Sequence, residues 1–305
     1  MILSENWAQA MLPTLREIYR LGADKEKDYI AAICGRKSSK LQRETTLGIG
    51  ARGLMKKWND VGRTTPYADT EKGHETTYIH EKYVDGASID RDWVEDNQYD
   101  KIEREVRNLR REGHNTQQHH FASMFNNAFS AIAGYTLADG KPLASATHTY
   151  NAAGTGGAFS NYAALALNSD NLETVRTAVV TGWKDDQGNL LNTDAGDLML
   201  LVPTALRKTA LVIADSDGEP DIADNNVNVW KGSIDVMECP RLTDTTSWFV
   251  IVKNAARDLC HWYDRRPLGF SSTVHFDTEA ALYRIIGRWS YGSDCPPAWV
   301  YCCRP

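Results

Sequence analysis

The stretch DNQYDKIEREVRNLRREGHNTQQHHFASMFNNAFSAIA, residues 96–133, decides the fold. Tyr99, Ile102, Val106 and Leu109 recur at spacings of three or four, which places them on one stripe of a helix. Lys101, Glu103, Arg104, Glu105, Arg107, Arg110 and Arg111 cover the other side with charge. Beyond Gly113 the apolar character continues through Phe121, Met124, Phe125, Ala128 and Phe129. At about 1.5 Å per residue such a helix spans roughly 50 Å. That is longer than an ordinary globular helix. Gly113 is where it would bend or break.

Upstream, residues 75–89 change period. Thr77, Ile79, Glu81 and Tyr83 alternate with Thr76, Tyr78, His80, Lys82 and Val84, which is a strand pattern. Both faces are mixed, so neither reads as core-facing. Residues 63–73 are polar, with Pro66 and Gly73 bracketing a turn. A long two-stranded excursion from the body is expected here. A lone hairpin is marginal in water, so this one needs a surface to lie on, such as an adjacent subunit. Before it lies a stretch rich in glycine and basic residues, 35–62. Earlier still, Trp7, Met11, Leu15, Ile18 and Tyr19 form an apolar helical stripe between a capping Ser4 and Gly22. Pro13 predicts a kink or two short helices. The stripe requires a partner, in the same subunit or in a neighbour.

Downstream, residues 134–161 read as a glycine-containing loop and 171–183 as an amphipathic helix. Residues 197–202 form a buried-type strand closed by Pro203, followed by a helix over 204–214. An acidic loop covers 215–228, and strands are expected at 229–238 and 247–252, joined by 240–246. Residues 271–288 mix a strand with a return segment. Helices and strands are interspersed without a βαβ rhythm, so the fold class is α+β.

The chain has 305 residues, 42% hydrophobic and 24% charged, as expected of a globular protein. No apolar run of about 18 residues is present, so no membrane partner is expected, and the N-terminal residues carry no secretion signal. The net charge of −6 argues against a dedicated nucleic-acid reader. The charge is segregated, however. Residues 34–58 hold seven basic side chains (Arg36, Lys37, Lys40, Arg43, Arg52, Lys56, Lys57) against Glu44, a balance of +6. Residues 184–224 hold three basic side chains against nine acids (Asp185, Asp186, Asp194, Asp197, Asp215, Asp217, Glu219, Asp221, Asp224), a balance of −6. Opposite patches on identical subunits suit a head-to-tail contact; two solvated faces that never meet account for the pattern equally well.

The six cysteines are too few for a disulfide scaffold and lack the C-x-x-C spacing of a zinc site. They read as reduced, partly buried thiols. The alternative is a late bond near the C-terminus, among Cys295, Cys302 and Cys303. His114, His119 and His120 have no acid one turn away, so helix surface is the expected reading rather than metal ligation. Asp215 to Asp221 places glycine and proline where a calcium loop cannot take them. Gly154-Thr-Gly-Gly-Ala158 follows a loop, not a strand, so it is no phosphate cradle. With no motif assembling an active site, neither an enzyme nor a cofactor is expected, and no residue is assigned a catalytic, cofactor-binding or metal role.

The order of the elements resembles the major capsid proteins of tailed bacteriophages, with the Hong Kong 97-type fold, and especially the Mu-like head subunits. Residues 76–96, TTYIHEKYVDGASIDRDWVED, are similar to the strand returning from the family's extended loop into the start of its spine helix. Asp139-Gly-Lys-Pro-Leu-Ala-Ser-Ala-Thr-His148, followed by glycines and Ser160-Asn161, resembles the segment after the spine helix in Mu-like members. Leu143 and Ala144 stand where those have a phenylalanine pair. Leu200-Leu-Val-Pro-Thr-Ala-Leu-Arg-Lys-Thr-Ala210 resembles the strand, proline and helix of the axial domain. Residues 230–236 and 240–248 resemble its later strands. The resemblance implies an N-terminal arm (1–45), an extended loop (46–84), a peripheral domain with the spine helix (85–195), an axial domain (196–266) and a return to the peripheral domain (267–305). It implies pentamers and hexamers of an icosahedral head assembled in the host cytoplasm, with scaffold and portal partners, enclosing double-stranded DNA. An acidic average suits a container that holds DNA without gripping it. The alternatives are an encapsulin-like nanocompartment shell, or a hydrolase with an unrecognised site.

Overall fold

The computed structural model describes residues 7–21, 27–65, 67, 70–155, 157–191, 197–218, 227–275 and 280–305. The chain opens with helix α1 (Trp7–Leu21), which Pro13 does not divide in two. The expected caps Ser4 and Gly22, and the Trp7 side chain, lie outside the described residues. Helix α2 (Tyr29–Ile33) is started by Asp28, whose carboxylate accepts from the N–H groups of Ile30 and Ala31. Strands β1 (Gly35–Ser38), β2 (Arg43–Ile49), β3 (Lys72–Ile79) and β4 (Glu81–Ile89) follow. The single strand pattern read over 75–89 is therefore two strands, parted at His80.

A short helix α3 (Arg91–Glu95) precedes the long helix α4 (Tyr99–Asn126). Its 28 residues span roughly 42 Å, and it runs through Gly113 unbroken. The glycine serves packing: a Cβ there would stand 2.7 Å from Ile285 Cδ1 on the sheet beneath. Tyr99, at the first helical position, is exposed, while buried Ile102, Val106 and Leu109 confirm the other three members of the predicted stripe. Leu15 and Tyr19 of α1 pack on these residues and on Ile89, Tyr283 and Ile285. The partner of the N-terminal stripe is thus its own subunit.

Beyond α4 come the two-residue strands β5 (His148–Thr149), β6 (Ala158–Phe159) and β7 (Tyr162–Ala163), helix α5 (Ser169–Thr177) continued by a π-helical turn to Gly182, and strand β8 (Leu198–Val202). Helix α6 (Arg207–Asp215), strands β9 (Asp235–Glu238) and β10 (Trp248–Val252) and helix α7 (Lys253–Leu259) lead into two long strands, β11 (Cys260–Val274) and β12 (Ala281–Ser293), and then β13 (Val300–Cys303). The strand expected from 229 begins at 235, after a turn. Residues 219–226 of the acidic loop lie outside the described residues.

Two sheets organise these elements. One has the order β1-β11-β12-β4, with β1 parallel to β11 and the other pairs antiparallel. The other has the order β7-β13-β10-β8-β9. Every residue of β8, β10 and β13 is buried. Alternate side chains of these strands enter different cores. Met199, Leu201, Phe249, Ile251 and Cys302 join Phe121 and Phe125 of α4 and Trp262 and Trp289 of the first sheet. Leu198, Leu200, Val202, Trp248, Val250 and Cys303 face Leu172 and Val175 of α5 and Ile213 of α6. The mixture of helices and sheets agrees with the α+β class.

Candidate assembly interface

Strands β2 and β3 form the expected antiparallel hairpin, with Thr45 opposite Thr77 and a register shift between Leu47 and Ile49. The strands touch closely where Gly48 meets Gly73: a Cβ on Gly73 would stand 2.8 Å from the Gly48 carbonyl carbon. The described residues between 50 and 71 form the tip. Leu54 is 83%, Met55 100% and Tyr67 91% exposed, and Ile49, Trp58 and Ile79 are also exposed. Lys40, Arg43, Arg52, Lys56 and Lys57 are exposed around them. A surface both apolar and basic, carried on a thin two-stranded element, has the composition that interaction surfaces share.

The root of the hairpin is polar and buried, which corrects the reading that neither face of residues 75–89 meets the core. His74, Tyr78 and His80 are all buried. His74 Nε2 donates to the Thr149 carbonyl at 3.0 Å, and two networks hold Tyr78 and His80. The first is centred on Asp294, just after β12. Its carboxylate accepts from Tyr78 Oη (2.6 Å), Thr46 Oγ1 (2.5 Å) and His261 Nε2 (3.0 Å). Burial pushes the Asp294 carboxyl up, but these three donors outweigh it and hold the group below the ordinary value. Lys37 Nζ lies 3.5 Å from His261 Nδ1 and can only donate, which leaves the ring proton on Nε2. Burial, then the Asp294 charge, raises the Tyr78 phenol far above its usual range.

The second network runs through His80. Ser39 Oγ donates to Glu44 Oε1 (2.5 Å) and accepts from His80 Nε2 (3.0 Å), so His80 Nδ1 accepts from Ser290 Oγ (2.9 Å). Both ring nitrogens are satisfied by a neutral imidazole. Burial lowers the His80 pKa, Arg288 and Arg265 lower it further, and Glu44 opposes them. The hairpin is thus pinned at its root by polar groups, while Leu54, Met55, Trp58 and Tyr67 stand exposed at its tip.

The segregated charge is partly consumed within the chain. Asp186 accepts from the Ala51 N–H at 2.8 Å, joining the acidic turn to the hairpin. Asp185 caps its own turn through the N–H groups of Gln187 and Asn189, Asp197 accepts from Asn254 N, and Asp217 pairs with Lys231. Arg36 pairs with Asp264 and Asp28. Asp194, Glu219, Asp221 and Asp224 lie outside the described residues.

Of the three histidines of α4, His120 is not on the helix surface as expected. It accepts from Trp289 Nε1 (3.1 Å) and its ring packs against Tyr83 and Tyr291 beneath the helix. His119 is exposed. The segment 139–148 closes on itself: His148 Nδ1 lies 2.7 Å from Asp139 Oδ2, and His148 Nε2 donates to the Leu143 carbonyl at 3.2 Å. Cys295 joins this buried pair, the three ligand-type atoms lying within 4.8 Å of one another. Sequence reading missed this group and both root networks, because each closes only when segments far apart in the chain meet: Cys295 with Asp139, Asp294 with Tyr78, and Ser290 with His80. All six cysteines are free and buried. Among the described residues no helix is long and apolar enough to cross a membrane.

The fold is shared with shell proteins. The chain is similar to the crystal structure of a virus-like particle from Pyrococcus furiosus, at 8% identity and a TM-score of 0.55, covering 96% of this chain and 98% of that one. It is similar to the mature capsid of bacteriophage PhiM1 (8% identity, TM-score 0.56, 92% and 87% covered) and to the capsid of cyanophage P-SCSP1u (11%, 0.56, 92% and 88%). No curated protein sequence matches the chain. These likenesses define a Hong Kong 97-type capsid fold. The phage capsid protein family matches residues 74–292, and the chain belongs to that family. It is a structural major capsid protein of a bacteriophage virion.

Proposed function

We propose that the subunit assembles with its own copies into pentamers and hexamers of an icosahedral phage head that encloses double-stranded DNA. The observation that carries this reading is the hairpin tip, whose exposed Leu54, Met55, Trp58 and Tyr67 would be a liability on a lone monomer. A neighbouring subunit supplies the surface they need. In this reading residues 1–45 are the arm, 46–84 the extended loop, 85–195 the peripheral domain around α4, 196–266 the axial domain and 267–305 the return to the peripheral domain. The order of the motifs over 76–96 and 139–161 supports a place in the Mu-like branch. Scaffold and portal proteins are the further partners, assembly takes place in the host cytoplasm, and the chain carries no catalytic site.

The test is negative-stain microscopy of the purified protein with size-exclusion chromatography at rising concentration. Rings of five or six, or closed shells, are expected, and their diameter separates a phage head from a small cargo compartment. A monomer with enzymatic turnover, still unassembled when co-expressed with neighbouring phage genes, would sink the reading.

A further inference from the structure

We propose that Cys34 and Cys260 are an intrachain disulfide site, reduced while the subunit folds and closed once the protein meets an oxidising medium. The two Sγ atoms lie 3.0 Å apart, about 1 Å more than a disulfide bond of ~2.05 Å. The backbones are already in place. β1 and β11 are parallel with Gly35 opposite His261, so the residues just before them, Cys34 and Cys260, face each other across neighbouring strands. Paired strands run about 4.8 Å apart, inside the Cα range of roughly 4.4–6.8 Å that disulfides span. Closure therefore needs side-chain rotation and little else.

The cysteines singled out from sequence are less suited. Cys302 and Cys303 are neighbours on β13 and point to opposite faces, one into each core. Cys295 sits against Asp139 and His148.

The chemistry balances with a small-molecule disulfide such as oxidised glutathione. One cysteine thiolate attacks it, forming a mixed disulfide and releasing one glutathione thiol. The second thiolate attacks the mixed disulfide, forming the Cys34–Cys260 bond and releasing the second. Two protein S–H bonds are lost and one glutathione disulfide is reduced. Cys34 is 3% and Cys260 0% exposed, so the reagent cannot enter the closed fold. Burial, reinforced by Cys34 beside it, also keeps the Cys260 thiol protonated. Exchange must pass through transient opening of β1, an edge strand of its sheet. The reaction is accordingly slow, and the product is shielded.

The bond ties the segment carrying α1, α2 and β1 to β11, and β1 leads within a few residues into the hairpin. Closure would fix the root from which the hairpin projects.

The experiment counts free thiols. The full-length protein is held for days at neutral pH with excess oxidised glutathione, then denatured, alkylated with a maleimide-polymer and run on a gel. The expected result is four reactive thiols instead of six, no covalent dimer, and a linked peptide joining residues 34 and 260 by mass spectrometry. The melting temperature of the oxidised protein should rise by about 4–8 °C. Cys34→Ser and Cys260→Ser should each show five thiols with or without oxidant, which excludes pairing among the remaining cysteines. Six thiols persisting in the wild-type protein, or a linked peptide built from other cysteines, would overturn the proposal. Because the wild-type measurement decides alone, misfolding of either variant leaves the test intact.

Discussion

Strands β8, β10 and β13 are buried along their whole length, whereas β2 and β3 are exposed at alternate positions and buried chiefly through polar side chains. The sheet is held by apolar area: LMLLV and WFVIV present hydrophobic groups to both of their faces. The hairpin is held by Tyr78, His80 and Thr46 reaching Asp294, Ser39 and Ser290. Apolar burial is non-directional and tolerates no water, so it makes a rigid floor. A polar root is directional and responds to protonation, which suits an element whose angle to the body matters.

The largest expected effect falls on the sheet. Phe249→Ala removes a side chain with no exposure that packs edge-on against Phe125, their ring centroids 5.0 Å apart. A loss of about 3–5 kcal/mol is expected from such a truncation, read from the urea midpoint. A loss below about 1 kcal/mol would mean that the site collapses without a cavity. Next is Asp294→Ala, which leaves Tyr78 Oη, Thr46 Oγ1 and His261 Nε2 without their acceptor. About 2–3 kcal/mol is expected for charged hydrogen bonds of this kind. Hydrogen exchange should accelerate over 43–79 while β8 and β10 stay protected. Equal loosening of both regions would break the distinction between them.

Acidification sharpens the comparison further. The folded pKa of His80 lies below its ordinary 6.5, so its contribution is complete above 6.5 and is lost as pH falls through the folded value. Asp294 lies below its ordinary 3.8, so its contribution is complete above that value and goes at lower pH. Hydrogen exchange in β3 should therefore rise in two stages, the first absent in His80→Gln and the second in Asp294→Asn. A single stage shared with β10 would contradict the separate root. The smallest effect on the subunit is expected at the tip. Met55→Ser or Trp58→Ser should change its unfolding free energy by less than about 0.5 kcal/mol while lowering the fraction assembled in light scattering.

The same contrast explains what the sequence made legible. The long helix, β8 with Pro203 after it, and β10 announce themselves because apolar periodicity reports burial directly. The strand pattern of 75–89 was visible, but its buried face was not: His74, Tyr78 and His80 look like surface until their distant partners are known. α7, the first half of β11 and β13 escaped notice because residues 253–270 mix arginines and aspartates with aromatics, and four residues ending in two cysteines carry little signal for a strand. The Asp139–His148 pair lay inside a segment quoted for its resemblance, yet nothing in its spacing distinguished a closed loop from an open one.

The first sheet also dictates how the chain must reach its native state. β4 pairs with β12 from Glu81 opposite Trp289 to Ile89 opposite Ala281, and β1 pairs with β11 from Gly35 opposite His261. Some two hundred residues, the five-stranded sheet except β13 among them, are spooled out between adjacent strands. Such non-local closure is slow, since a long loop must be ordered before its contacts repay the entropy. The second sheet, whose main strands lie within about a hundred residues of one another, is free to form first as an island. Refolding from denaturant should then be biphasic, with tryptophans of the island reporting early and protection of β4 and β12 arriving last. Until that final zippering the N-terminal half of α4 lacks its floor, so newly made subunits would enter assembly only after the slowest step of their own folding, a delay that meters the supply of building blocks.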